Sequence, residues 1–187
     1  LSVSSGDTPA DYVDSIKILI FFTMLTLLPS FIIMFTSFTR ITVVFSLLKN
    51  AIGAQQSIPS QILVGLAIFL TIFIMQPVYT EINEVALKPY SNEEITFEQA
   101  LENASNPLKD FMLKETRQKD LELFVDAAKL NSGELTRENI PLYSIVPAFA
   151  ISELKTAFQI GFLLFVPFMV IDMIVASVLM SMGMMMI

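Results

Sequence analysis

From Phe158 to Ile187 the chain runs for thirty residues with one ionisable side chain, Asp172, and this stretch decides most of what the molecule can fold into. As a helix it exceeds the roughly 20 residues needed to cross a hydrocarbon layer ~30 Å thick. An unpaired carboxylate at such a depth costs roughly 2.5 to 3.5 kcal/mol, so Asp172 is expected to face protein or water and to have a partner. The segment itself supplies none.

Beyond Asp172 the side chains change character. Ala176, Ser177, Ser181 and Gly183 are small, whereas Met180, Met182, Met184, Met185 and Met186 are long and unbranched. Seven of the eleven methionines lie beyond Phe168. Thioether chains repack cheaply around whatever they touch, which suits a promiscuous contact surface or a closable constriction. A lipid-facing or core helix that is merely rich in methionine is the plainer reading. Gly183 favours the first, because glycine permits a helix break or a close approach where the methionine run begins.

The rest of the composition agrees with a membrane-type protein: 54% of residues are hydrophobic and 16% charged, against about 25% charged in an average soluble domain. There is no cysteine, histidine or tryptophan. Disulfides, the usual zinc sites, the Ser/His/Asp triad and Cys/His catalysis are therefore closed off, and no cofactor or metal is expected. The net charge of −7 includes no basic stripe, so nucleic acid is not an expected partner. The first residue is Leu1 and no basic n-region precedes the apolar segments, consistent with a processed or trimmed chain.

In chain order, four parts are expected: a polar arm over residues 1–15, a first hydrophobic helical hairpin over 16–80, an acidic helical insert over 81–140, and a second hydrophobic segment over 141–187. The arm holds Asp7, Asp11 and Asp14 with the turn signal Gly6-Asp7-Thr8-Pro9. Ile18 to Phe38 gives 21 uncharged residues with Pro29 in the middle, where a kink or break is expected. Arg40 follows, read as a cation snorkelling at a helix end in preference to a buried structural charge. Turn chemistry from Asn50 to Ser60 precedes a second uncharged stretch, in which Gly65 and Ala67 are small enough for close helix packing and Pro77 interrupts near the end. Arg40 and Lys49 lie on the connection between the two apolar stretches, and no acidic residue occurs between Asp14 and Glu81. Positive charge marks that connection as cytoplasmic, which places the N-terminal arm and the insert outside.

The insert, Glu81 to Asn139, holds 13 acidic and 7 basic residues. Thr96-Phe97-Glu98-Gln99 fits a capping box, and Asn106-Pro107 fits an N-cap followed by proline at the first helical position. Leu108, Phe111 and Met112 share one helix face, as do Leu121, Phe124 and Ala128, and Asn131-Ser132-Gly133 is expected to close that helix. Glu153 and Lys155, two apart at the return to apolar sequence, do not face each other on a helix and are candidates for contacts with neighbouring chains. Pro167 is expected to add a third kink. The fold class is thus all-α, built of kinked hydrophobic helices around a small amphipathic insert.

Four blocks carry a specific likeness: TSFTRITVVFSLLKNAIGAQQ from Thr36, GLAIFLTIFIMQPVY from Gly65, NPLKDFMLKETRQKDLELF from Asn106, and PAFAISELKTAFQIGF with IDMIVASVLMSMGMMM from Pro147. With them the chain resembles the FliP/SctR family of flagellar and type III secretion export-gate proteins, and its flagellar branch most. The resemblance implies a machine part and not an enzyme. Five copies would assemble with two companion membrane subunits, FliQ- and FliR-like, into a helical cone that passes unfolded export substrates and contacts membrane lipid. The expected place is the bacterial inner membrane and flagellar basal body, projecting toward the periplasmic side. It also implies a methionine gasket of Met184, Met185 and Met186 with Met182 nearby, and a lysine partner for Asp172 in a final hydrophobic hairpin beyond Ile187. Arg40, Glu153 and Lys155 are structural or interface positions.

Two other functional classes fit the sequence less well. An ion- or proton-coupled carrier would use Asp172 as a relay, but no second ionisable group shares its apolar stretch and no internal repeat is evident. An intramembrane aspartyl protease needs two carboxylates at one site, and only one is present.

Overall fold

Helix termination near Met34 divides the chain into two compact units, one ending at Ile33 and the other beginning at Met34. The computed structural model describes residues 9–54, 56–129 and 140–183, and every regular element among them is a helix.

In the first unit, α1 (Pro9–Met34) begins with proline at a position where its missing N–H is no loss. It therefore starts inside the segment read as a polar arm, and Leu1–Thr8 lies outside the described residues. The helix continues through Pro29, so that proline does not break it. It stops at Met34, short of the Phe38 expected from the uncharged run, and exposes Leu19, Phe21, Phe22 and Leu25.

The second unit opens with α2 (Phe38–Ala51) and turns through Gly53, whose positive φ of 69° suits a residue without a Cβ. α3 (Ser60–Ile82) then passes through Pro77 without ending. It runs on as a π-helical turn (Asn83–Leu87) and α4 (Lys88–Ser91), so the helical path enters the part assigned to the insert. The widened turn has a local cause. Pro89 has no N–H for the Val85 carbonyl four residues back and would crowd it. Val85 instead accepts a 3.1 Å hydrogen bond from the Asn103 side-chain amide.

α5 (Phe97–Glu115) starts at the expected capping box: Gln99 N–H donates to Thr96 Oγ1 at 3.3 Å, and Thr96 N–H donates to Gln99 Oε1 at 3.0 Å. The reading of Asn106-Pro107 as a helix start is corrected. Both lie inside α5, with Pro107 buried, because the cap at Thr96 already nucleates a helix that propagates across the proline. α6 (Gln118–Ala127) is followed by Lys129 at φ 53°, and the expected stop at Asn131-Ser132-Gly133 lies outside the described residues.

α7 (Leu142–Ser181) spans forty residues through Pro147 and Pro167. Met112 of α5, Ile140, and Ile145 and Phe149 of α7 form the core, with Leu108, Phe111 and Leu121 packed against them. Phe111 meets Phe149 edge to face at 5.9 Å. The face expected on α5 thus points inward; on α6 Leu121 packs on this core and Val125 is buried, while Phe124 and Ala128 are only part-buried. Among the described residues two helical stretches are long and apolar enough to cross a membrane, Ser60–Ser91 and Leu142–Ser181.

Candidate functional site

The N-terminal half of α7 buries Ile145, Ala148, Phe149, Ser152, Glu153, Ala157 and Gly161, a stripe at helical spacing whose later members are mostly small. Small side chains let a neighbouring helix approach closely. A Cβ on Gly161 would lie 2.2 Å from Leu47 Cδ1 and 3.0 Å from Leu47 Cβ, so α2 packs directly on the α7 backbone there. Gly65, singled out for such packing, has no neighbour within 4 Å of a Cβ position, whereas Ala67 is fully buried.

Polar residues of the same stripe are fastened from two sides. Arg40, in the first turn of α2, donates through Nη2 to Glu115 Oε2 at 2.7 Å and to Glu153 Oε1. A cation at a helix start and a carboxylate at a helix end are each unfavourable against the helix dipole. Arg40 begins α2 and Glu115 ends α5, so their pairing offsets both mismatches. Glu153 is 1% exposed. Arg40 is therefore a partly buried structural charge, and the reading of it as a snorkelling cation is corrected by two carboxylates brought from 75 and 113 residues away. Arg40 Nε and Glu153 Oε2 are buried without a hydrogen-bond partner among the described residues.

At positions of α7 flanking Glu153, the connection from α5 to α6 is tied to α7. The Arg117 backbone N–H donates to Ser152 Oγ at 3.0 Å, and Ser152 Oγ donates onward to Asp120 Oδ2 at 2.8 Å. Lys155 donates to Asp120 Oδ1, while the Arg117 side chain reaches Thr156 Oγ1 at 3.3 Å and Gln159 Oε1. Asp120 sits in the first turn of α6, where the helix dipole favours a carboxylate. The Lys155 ammonium holds the Asp120 carboxyl below the usual carboxylate range, opposed by burial and aided by the Ser152 hydroxyl. Within one chain, then, Glu153 and Lys155 have partners on different helices and need no neighbouring copy to supply them.

The second half of α7 is built differently. From Phe162 to Ser181 no residue is buried, and Phe162, Leu163, Met173, Ile174 and Met180 are among the most exposed. Asp172 is exposed in this half and makes no hydrogen bond or ion pair among the described residues. The helix ends at Ser181, Met182 caps it with 62% of its surface exposed, and Gly183 takes φ 73°. A glycine at that position gives the break expected where the methionine run begins. Met184, Met185 and Met186 lie outside the described residues.

Sequence reasoning missed Glu115, Arg117, Asp120 and Ser152, which with Arg40, Glu153 and Lys155 make these two fastenings a polar latch between α7 and α2, α5 and α6. They lie far from their partners in sequence, and the only available signal was their place inside the NPLKDFMLKETRQKDLELF and SELKTAFQIGF blocks. Chemically the arrangement is a fastening. Among the described residues no group of three or more metal-ligating side chains comes together.

The chain matches the FliP family over residues 21–187. It is 49% identical over 186 residues to a flagellar biosynthetic protein FliP of Bacillus subtilis (strain 168), covering 100% of this chain and 84% of that protein. A flagellar biosynthetic protein FliP of Aquifex aeolicus (strain VF5) is 52% identical over 176 residues, 94% of this chain and 74% of the relative. One of Treponema denticola is 41% identical over 187 residues, 99% of this chain and 69% of the relative. With the latch, the long apolar helix and the methionine terminus all inside the matched range, the chain belongs to the FliP family.

Proposed function

We propose that this chain is a core subunit of the bacterial flagellar type III protein export gate, forming the pore through which unfolded substrates cross the inner membrane. The observation that carries the reading is its membership of a family whose similar members are named for flagellar biosynthesis. It acts as a machine part and not as an enzyme. Met182, Met184, Met185 and Met186 line the constriction, sealing it by packing and rearranging around polypeptide segments of any sequence.

The exposed apolar surface of α7 supports an assembled state, since a water-soluble monomer rarely leaves so much contiguous apolar surface uncovered. In this reading further copies, five in all, and the FliQ- and FliR-like companions cover it as a helical cone projecting toward the periplasm, in contact with membrane lipid. The latch sets the path of α7 so that its distal half and the turn at Gly183 are presented at a fixed angle. Native mass spectrometry of the detergent-solubilised protein, co-expressed with the companion subunits, tests this. The expected mass is that of five copies with companions bound; a monomer or dimer that ignores them overturns it.

Asp172 favours one alternative, an ion- or proton-coupled carrier, because an exposed carboxylate in an apolar helix is a functional candidate by default. Proton flux through the purified protein alone, abolished by Asp172→Asn, would select that alternative.

A further inference from the structure

Lys49 is a half-buried cation in the last turn of α2 with no carboxylate partner among the described residues. Its situation differs from that of Arg40, nine residues or about two and a half turns earlier at α2's other end, which holds two carboxylates. No acidic residue exists in the sequence between Asp14 and Glu81 to supply a local counterion. The α2 dipole offers about half a charge at that end, which leaves the ammonium only partly compensated.

Beside Lys49 lies a cleft of about 330 Å³ between the later turns of α2 and the first turns of α3. Thr42, Lys49, Asn50 and Ser60 form its polar side, and Leu63 and Val64 its apolar side. Lys49 Nζ reaches Ser60 Oγ at 3.5 Å, a long contact that leaves two of its three donors uncommitted among the described residues. No side chain caps the first turn of α3. On the cleft side of α3, Val64 and, one turn on, Ile68 are exposed, at the start of a stretch long and apolar enough to cross a membrane.

We propose that this cleft holds the phosphate of an anionic phospholipid headgroup, with Lys49 as the charge partner and Ser60 and Asn50 as hydrogen-bond donors. A lipid fits better than free phosphate because the polar cleft is continuous with exposed apolar surface on which an acyl chain can lie. The positive connection between two apolar stretches is also where an anionic leaflet attracts lysine. The site is independent of the export reading and stands or falls without it.

The test uses the full-length protein taken into nanodiscs of phosphatidylcholine with or without phosphatidylglycerol, then released for native mass spectrometry. The protein retains phosphatidylglycerol over phosphatidylcholine. Lys49→Gln lowers that retention roughly tenfold, the scale of one lost charge-assisted contact, and Lys49→Arg preserves it. Lys88→Gln, at an exposed lysine elsewhere, leaves it unchanged. If Lys49→Gln fails to fold, Ser60→Ala carries the test with a smaller selective loss. Equal retention in Lys49→Gln overturns the site. Displacement of the lipid by millimolar inorganic phosphate overturns its assignment to a headgroup, and a fall in assembly mass with lipid retention unchanged makes Lys49 a protein contact instead.

Discussion

Arg40 of α2 donates to the carboxylate of Glu153 on α7 across 113 residues of sequence, and that carboxylate is 1% exposed. The same guanidinium also holds Glu115, whose side chain is 29% exposed. The two pairs are not equivalent. Removing one partner of a buried pair strands a charge and costs about 3 to 5 kcal/mol, whereas an exposed pair contributes about 0 to 1 kcal/mol. Arg40→Ala is expected to destabilise the purified protein by the larger amount and Glu115→Gln by the smaller, measured by thermal unfolding in detergent. Glu153→Gln added to Arg40→Ala recovers part of the loss, because it removes the stranded charge.

Asp120 sets an acid limit on the second fastening. Its carboxyl is held below the ordinary range by Lys155, so the unfolded chain takes up the proton more readily than the folded one. The stabilisation is therefore fully present above about pH 4, the ordinary carboxylate pKa, and is lost as pH falls through the lower folded-state value. Comparing unfolding temperatures of the parent and Asp120→Asn proteins from pH 7 to pH 3 should show a gap that narrows only in acid. A gap that stays constant would place the effect of Asp120 elsewhere.

Gly161→Ala pits two effects of known size against each other. Alanine gains about 0.5 to 1 kcal/mol of helix stability over glycine. Its Cβ, however, falls 2.2 Å from Leu47 Cδ1, and the Leu47 Cβ at 3.0 Å limits how far that side chain can swing away. Overpacking costs about 1 to 3 kcal/mol, so the net change is expected to be destabilising. In a double-mutant cycle Leu47→Ala should relieve the loss in the Gly161→Ala background.

Asn103→Leu removes the amide that satisfies the Val85 carbonyl. Because Val85 is partly exposed, water replaces some of that bond and the cost stays at or below about 1 kcal/mol. Hydrogen exchange across residues 83–91 should accelerate while the core around Phe149 keeps its protection.

Features set by neighbours in sequence were legible, and those set by distant contacts were not. The Thr96 capping box and the glycine stop at Gly183 depend on bonds within a few residues and are present in the structure. Asn106-Pro107 misled because a cap signal says where a helix can begin, not whether one is already running. Arg40 looked like an interface cation because both of its partners lie 75 or more residues away. The methionine run was legible only as composition, following the helix stop at Gly183.

Ion conductance of the assembled complex in liposomes tests the proposed methionine seal most directly. Replacing Met184, Met185 and Met186 together by alanine should leave the mass of the assembly unchanged and open a leak to small ions in the absence of substrate. An assembly of unaltered mass and unaltered conductance would contradict the account.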